Sequence, residues 1–276
     1  MPFFSESFLS GPHSGATQLI LRFGRHTVNV MVIAQLVGAV LRKNSRKTER
    51  GAKQFLTSMA VRAAPFALLI QATASAEVIR FDRSTPGSTP DGWTIAMTHT
   101  GGPPKWQVLR DDSGPSPRLV LAQTSQDATA GRFPLAIWEG TSIRNGAVSV
   151  AFKPVDGSVD RAAGIVWRYQ NQNNYYIVRA NALENNVVLY RVENGIRLSI
   201  APKGQPSRAY GVKHEIPSGR WNTLRVEFTE GSFVVFLNTE RLFEAEDRTF
   251  ANPGKVGLWT KADSLTYFDE FTVTEK

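Results

Sequence analysis

The chain has 276 residues, no cysteine, 32 basic and 24 acidic residues, and a formal net charge of +8. The absence of cysteine excludes disulfide bonds and thiol catalysis. The basic excess lies in residues 1–76, which carry nine Lys or Arg against two Glu, whereas residues 77–276 carry 23 basic and 22 acidic residues. A globular part of nearly zero net charge does not favour a nucleic-acid partner.

The end of the basic leader has the pattern of a secretion signal. Basic residues precede an apolar run at 63–70, and the small-residue cleavage motif A-S-A follows at 74–76. This order predicts a signal peptide over 59–76, cleavage before Glu77, and an exported protein, periplasmic or extracellular. The apolar run is too short for a membrane span, which needs about 20 residues. A buried core helix is the alternative interpretation of the run.

Residues 1–58 lie too far from the cleavage motif to belong to the signal peptide. Met59 stands at an ordinary distance from the motif, so we expect 1–58 either to precede the true start or to form a poorly ordered extension. A membrane anchor at 28–41 is an alternative, but this run has only 14 residues and contains Asn29 and Gln35. We therefore expect no stable membrane span in the mature form.

Residues 77–276 contain many short apolar or β-branched runs separated by turn formers. In chain order, the clearest runs are 78–81, 93–97, 106–109, 119–123, 146–152, 164–200, 221–229, 232–237, 240–244, 255–261 and 265–273. No long window has the helical period, and the runs recur about every 8–12 residues. This spacing predicts an all-β fold, an antiparallel two-sheet sandwich of the jelly-roll type with about 12 to 14 strands.

The segment 164–200 is the most informative part of the chain. Four β-type runs are joined by Asn173-Asn174, Asn185-Asn186 and Asn194-Gly195, which tolerate the positive φ angles of tight hairpins. The same segment places three arginines, at 168, 179 and 191, inside predicted strands. A charged side chain in a strand calls for a solvated face, and arginines beside Tyr and Trp predict a binding surface.

The period of two assigns side chains to faces. In 221–229, Leu224, Val226 and Phe228 share a face that is predicted to be core. In the run at 175–181, Tyr175, Ile177, Arg179 and Asn181 share a face, which we expect to be polar together with Arg168 of the preceding run, although Ile177 breaks the pattern.

Sugar binding uses aromatic rings beside guanidinium, amide and carboxylate groups. The C–H faces of a pyranose stack on Trp or Tyr, and its hydroxyls take hydrogen bonds from Arg, Asn and Asp. A position in the core is the alternative for each ring taken alone. The combination predicts the ligand-binding residues Arg168, Tyr175, Arg179, Asn181, Tyr190, Trp259, Lys261 and Asp263.

Other chemistries have weaker support. The mature region has no G-x-S-x-G motif, no zinc motif, and only two histidines, His99 and His214. Glu244 and Glu246 stand at the i, i+2 spacing that puts two carboxylates on one strand face, as glycoside hydrolysis can use, but a solvated edge or turn is the favoured interpretation because charged edges are common. Asp269 is either a turn cap or a ligand of a structural calcium ion. No other cofactor is expected.

Four segments resemble a known family. They are 163–197, GRWNTLRVEF at 219–228, FLNTERLFEAEDRTF at 236–250, and PGKVGLWTKADSLTYFDEFTV at 253–273. Together they resemble the concanavalin A-like 3-keto-disaccharide hydrolase domain, which is related to laminin-G-like and family 16 glycoside hydrolase sandwiches. The resemblance implies a jelly roll whose concave sheet handles carbohydrate, in exported bacterial proteins.

The resemblance does not carry over family 16 hydrolysis, because the E-x-D-x-E strand of those enzymes is absent and the acidic cluster at 244–247 has another order. We therefore expect an exported carbohydrate-binding sandwich. One alternative is a glycoside hydrolase or lyase, acting for instance on 3-keto sugars, with Asp263 or Glu246 as acid/base and with Arg168 and Arg179 orienting the substrate. A structural or protein-interaction module of the cell envelope is the other alternative.

Overall fold

The computed structural model of the protein describes residues 17–23, 26–32, 76–113 and 119–276. The chain divides into two compact units, Met1–Leu68 and Leu69–Lys276. In the first unit, strands β1 (Thr17–Phe23) and β2 (His26–Val32) form an antiparallel hairpin.

Most of the leader lies outside the described residues. The signal peptide predicted over 59–76 does so except for Ala76, and the start-codon alternatives for 1–58 likewise stay predictions. Of the run 28–41, only 28–32 is described, as part of β2. Within the described ranges, the chain has no helix with the length and apolarity that crossing a membrane requires.

The second unit is all β in its described residues. Its strands are β3 (Ala76–Ile79), β4 (Trp93–Thr98), β5 (Trp106–Arg110), β6 (Leu119–Gln123), β7 (Phe133–Ile143), β8 (Gly146–Asp156), β9 (Ala162–Asn171), β10 (Asn174–Asn181), β11 (Asn186–Glu193), β12 (Ile196–Ile200), β13 (Val212–Lys213), β14 (Asn222–Thr229), β15 (Ser232–Leu237), β16 (Glu240–Glu246), β17 (Gly254–Trp259) and β18 (Leu265–Glu275).

These strands form two antiparallel sheets. The first sheet has the order β12-β11-β10-β9-β17-β7-β4, with β13 paired to β11, and the second has the order β16-β15-β14-β8-β18-β6-β5, with β3 paired to β18. The antiparallel two-sheet sandwich predicted from the sequence is confirmed. The strand number exceeds the expected 12 to 14 because short strands such as β13, with two residues, carry too little pattern to be recognised.

One large core lies between the sheets. Strand β14 contributes Leu224, Val226 and Phe228, the three side chains assigned to the core from the period of two, and all are buried. From the first sheet, Trp167 of β9 stacks on Phe228 with ring centroids 5.9 Å apart. Burial of such apolar area is the main stabilising contribution to a fold of this kind.

Asparagines form most of the predicted hairpin turns. Asn185 and Asn194 of the predicted turns, and Asn238 between β15 and β16, have φ angles of 48°, 51° and 54°, which asparagine adopts more readily than most residues. At Asn173-Asn174 the prediction of a positive φ is wrong. There the side chain of Asn171 closes the turn by accepting a hydrogen bond of 2.9 Å from the Asn173 amide.

The first sheet is also buried on the face turned away from the second sheet, here called the outer face. A separate apolar cluster covers it, formed by Phe133, Leu135, Ile137, Ala162, Val166, Tyr175, Ile177, Val188, Tyr190, Val192 and Trp259. These residues alternate along their strands with residues of the core between the sheets, as the pleat requires. The first sheet is therefore a layer with apolar side chains on both faces.

Candidate functional site

Strand β10 presents the predicted set of side chains on the outer face. Tyr175, Ile177, Arg179 and Asn181 alternate with residues of the inter-sheet core. The expectation that this face is solvated is wrong, since both Arg179 and Asn181 are at most 1% exposed. Polar groups tolerate such burial only when they are paired, and both are.

Arg179 is held by a carboxylate, an amide and an aromatic ring. Its Nη1 and Nη2 atoms donate to the two carboxylate oxygens of Glu184 at 3.2 and 2.9 Å, and Nη2 also donates to Asn186 Oδ1 at 2.6 Å. Its guanidinium carbon lies 5.7 Å from the ring centroid of Tyr190. Burial disfavours the charged form, but the electrostatic interaction with Tyr190 and the hydrogen-bonded Glu184 carboxylate together outweigh it, so the pKa of Arg179 lies above its ordinary value.

The polar network continues along the edge of the outer face. The Asn181 amide donates to Asp160 Oδ1 at 2.6 Å and to Glu184 Oε1 at 3.2 Å. The other oxygen of Asp160 accepts a hydrogen bond from Lys261 Nζ. Burial raises the pKa of Asp160, and the ammonium of Lys261 only partly offsets this. Six polar side chains, those of Arg179, Glu184, Asn186, Asn181, Asp160 and Lys261, thus form one continuous network beside the apolar cluster.

Asp263 organises the loop that carries Asp160. Its carboxylate accepts hydrogen bonds from the backbone amides of Ser158, Val159 and Asp160 at 2.7, 3.0 and 2.9 Å. Burial alone raises the pKa of Asp263, but these donors lower it to about 2. The predicted role of Asp263 as an acid/base has no support in this geometry, because both oxygens are saturated by the loop. Asp263 instead positions the adjacent carboxylate.

The predicted aromatic residues lie on the outer face but are not exposed. Tyr175, Tyr190 and Trp259 are almost wholly buried, and Phe133 joins them with its ring centroid 5.3 Å from that of Trp259. Burial raises the pKa values of both tyrosines. The Tyr175 hydroxyl is satisfied by a 2.7 Å hydrogen bond with the hydroxyl of Thr98.

Arg197 of β12 is a central residue of this face that sequence reasoning missed. Its guanidinium carbon lies 4.5, 4.9 and 5.9 Å from the ring centroids of Tyr190, Phe133 and Trp259. Its Nη1 atom is buried without a hydrogen-bond partner, and no carboxylate of the described residues forms an ion pair with it. The sequence does contain a signal for this position. The predicted two-residue turn Asn194-Gly195 pairs Arg197 with Val192, so the two side chains share one face.

Arg168 does not join the other predicted residues. It stands at a bulge of β9 with a φ of 47°, where the pairing with β10 and β17 shifts register. The extra residue turns its side chain away from the outer face, and the guanidinium donates to the backbone carbonyls of Arg144, Glu230 and Phe250. Arg168 therefore ties together three loops at one end of the sandwich, and the expectation of a solvated position is wrong.

The remaining acidic candidates lie elsewhere. Glu246 belongs to β16 of the second sheet and forms an exposed ion pair of 2.7 Å with Lys203. Asp269 is buried at a bulge of β18, and its Oδ1 accepts a hydrogen bond of 2.8 Å from the Glu270 amide. In the part of the chain that the structure describes, no group of three or more His, Cys, Asp or Glu could hold a metal ion. Calcium binding at Asp269 stays a prediction.

Solved structures of related shape are β-sandwich proteins. The carbohydrate-binding module CBM66 from Bacillus subtilis has 20% identity and a TM-score of 0.49 over 66% of this chain and 94% of its own. The β-glucanase of Bacillus licheniformis has 12% identity and a TM-score of 0.48 over 74% of this chain and 99% of its own.

No curated protein matches the chain. The family described as the 3-keto-α-glucoside-1,2-lyase-like domain matches residues 80–274, which is nearly the whole of the sandwich. This match confirms the resemblance found in the four sequence segments. The chain therefore belongs to the 3-keto-α-glucoside-1,2-lyase-like family, and at the level of that family its domain is a carbohydrate-binding or glycoside hydrolase-like β-sandwich.

Proposed function

We propose that the outer face of the first sheet binds a saccharide at the edge formed by Arg197 and Tyr210. The observation that carries this proposal is the guanidinium of Arg197, which lies over three aromatic rings with Nη1 buried and unpaired. A buried donor without a partner costs about 1–3 kcal/mol. A hydroxyl or ring oxygen of a bound sugar would supply the missing acceptor.

Tyr210 provides the accessible ring at this edge. It is 48% exposed, whereas Tyr190, to which its hydroxyl is hydrogen-bonded, is buried. The two rings meet edge to face with centroids 5.9 Å apart, and Arg179 lies 5.9 Å from the Tyr210 centroid. A sugar stacked on Tyr210 would lie beside two guanidinium groups. The more deeply buried rings, Trp259 and Phe133, would then support Arg197 and would not contact the sugar.

The test is a glycan array probed with the full chain, followed by titration of the best-bound glycan. We expect Arg197→Met to weaken binding at least tenfold, because one charge-assisted hydrogen bond is worth about 1.5–3 kcal/mol. Arg220→Gln removes an exposed arginine elsewhere and should bind like the wild-type protein. Absence of binding to every glycan, or equal affinities of all three proteins, contradicts the proposal and favours a structural or protein-interaction module.

A second candidate function is a glycoside lyase, and Asp160 is the observation that favours it. Asp160 is the buried carboxylate of the network, with a raised pKa, and Lys261 lies next to it. In a 3-keto glucoside, the ketone acidifies the hydrogen on C2. Asp160 would accept this proton as the C1–C2 double bond forms and the C1–O1 bond breaks. The departing oxygen would take a proton from the Lys261 ammonium, leaving a free alcohol.

Turnover separates the two candidates. Disaccharides and their 3-oxidised derivatives are incubated with the wild-type protein, Asp160→Asn and Glu246→Gln. If the protein is a lyase, the wild-type protein releases alcohol from the 3-oxidised substrate alone. Asp160→Asn should still bind this substrate but release no alcohol, and Glu246→Gln should keep full activity. Binding without release by the wild-type protein removes the lyase and leaves the binding module.

We also propose that the protein is exported with Glu77 as its first mature residue. The support is the order of basic, apolar and small residues before that position. Because β3 begins at Ala76, cleavage there would leave Glu77, Val78 and Ile79 paired with β18. N-terminal sequencing of the protein recovered from a bacterial periplasm or medium tests this proposal, and an intact leader on a cytoplasmic protein contradicts it.

A further inference from the structure

A cavity lies at one end of the sandwich, among loops that do not belong to the proposed saccharide site. It has a volume of 230 Å³. Its lining consists of three arginines, one glutamate and two small residues, namely Arg144, Arg168, Arg248, Glu230, Gly231 and Ala251. At about 30 Å³ for each water molecule, this space has room for a small polyatomic ion with part of its hydration shell.

The deepest cation of this cavity is the bulge residue Arg168. Its side chain is buried, with 1% exposure, yet no carboxylate among the described residues pairs with it. Its Nε atom donates to the carbonyl of Arg144, both hydrogens of Nη2 go to the carbonyls of Arg144 and Glu230, and Nη1 donates to the carbonyl of Phe250 at 2.7 Å. One hydrogen of Nη1 remains without a protein acceptor among the described residues. The charge is thus fixed in place and not neutralised by its own chain.

The other two arginines are exposed and weakly paired. Arg144 Nη2 lies 4.0 Å from Glu230 Oε2, the limit of an ion pair, and the Glu230 side chain is 65% exposed. Arg248 forms no ion pair with any described residue. A Cβ atom at Gly231 would overlap Arg248 Cγ and lie 2.9 Å from the carbonyl oxygen of Asp247, so glycine is needed for Arg248 to lie along the cavity. Three guanidinium groups therefore face one exposed carboxylate.

We propose that this cavity binds a tetrahedral oxyanion, a phosphate or sulfate group. Guanidinium groups match such oxygens with two parallel hydrogen bonds, and a buried cation without a counter-charge gains most from an anion. Arg168 would form the fixed floor, while Arg144 and Arg248 would close from the two sides as Glu230 turns outward. The oxyanion is either a free ion or a substituent on a larger molecule.

Isothermal titration of the full chain with sodium phosphate and sodium sulfate, at ionic strength matched with chloride, tests the proposal. We expect saturable binding that becomes about tenfold weaker in Arg144→Gln and in Arg248→Gln, since each loses a charged hydrogen bond. Glu230→Gln should bind more tightly, because it removes the competing carboxylate. Arg220→Gln is the control of equal charge, and it should bind like the wild-type protein.

Two results overturn the proposal. One is heat exchange that does not saturate, and the other is saturable binding whose affinity is the same in all four variants and the wild-type protein. A comparison of glucose 6-phosphate with inorganic phosphate identifies the source: tighter binding of the sugar phosphate supports a substituent on a glycan, and equal binding supports a free ion. Arg197→Met should leave phosphate binding unchanged, so that this cavity and the saccharide site are tested separately.

Discussion

The outer faces of the two sheets differ in a way that the strand pattern alone does not explain. On the second sheet, the outward residues of β14 are polar and partly exposed, and Arg225 pairs with Glu227 at 2.6 Å in an ordinary surface ion pair. On the first sheet, the outward residues of β10 are buried, and Arg179 forms its ion pair with no solvent exposure of its own.

Antiparallel sheets commonly pack one face on the core and leave the other in water. The second sheet follows this rule at β14, whereas the first sheet has apolar clusters on both faces. A charged group that is buried on the outer face of a sheet depends on a partner of opposite charge, and Arg179 has this partner in Glu184. The two outer faces therefore differ in the burial of their charged groups, and the following changes test how far they differ.

The largest effect is expected from Arg179→Met. The substitution leaves Glu184 and Asn186 without their donor in a mostly buried network, and breaking a buried pair from one side costs about 3 kcal/mol or more. Urea unfolding followed by circular dichroism measures the change. The matched control is Arg225→Met on the second sheet, for which we expect less than about 1 kcal/mol because surface ion pairs contribute little. Equal losses in the two variants would mean that the faces do not differ.

Asp263→Asn should lower the free energy of unfolding by about 2 kcal/mol at neutral pH, since charged hydrogen bonds to the loop at Ser158 are weakened. The folded-state pKa of Asp263 is about 2, below its ordinary value of 3.8. Its ionised form therefore stabilises the fold above that ordinary value, and the contribution disappears as the pH falls through about 2.

Unfolding midpoints measured between pH 7 and pH 2 check the sign for Asp263. The wild-type protein should lose stability more steeply than Asp263→Asn over the acid part of this range. Parallel curves would show that the carboxylate does not hold the loop, and Asp160 would then lose its positioning residue.

The smallest effect on stability is expected from Arg197→Met. This change removes a buried N–H group that has no partner, and Met keeps contact with the rings of Tyr190 and Phe133. The free energy of unfolding should change by less than about 1 kcal/mol, in either direction. Urea unfolding tests this expectation, and a loss as large as that of Arg179→Met would mean that Arg197 is a structural residue like Arg179.

The sandwich could be predicted from the sequence because the patterns that indicate it, alternation and turn residues, are local. Period-two alternation assigned Leu224, Val226 and Phe228 to the core, and asparagines marked the turns at Asn185 and Asn194. Alternation also put Tyr175, Arg179 and Asn181 on one face of β10. Each of these inferences depends on neighbours within a few residues, where pleat and turn geometry dominate.

The partners of the charged residues depend on how strands that are distant in the sequence pair with one another. They could therefore not be predicted from local patterns. The bulge that turns Arg168 away from the outer face is a register shift in the pairing of β9 with both β10 and β17. Asp160 and Lys261 meet although 101 residues separate them in the chain. Glu184 was easier to predict as a partner. It lies in the hairpin turn between β10 and β11, where Asn181 at the end of β10 pairs with Asn186 at the start of β11.

The central proposal is that the edge at Arg197 is a saccharide site. Isothermal titration of the full chain with the glycan that it binds best on the array is the most direct test. We predict saturable binding by the wild-type protein and by Arg225→Met, with binding at least tenfold weaker in Arg197→Met. Affinities that are equal in all three proteins, or the absence of any binding by the wild-type protein, would contradict it.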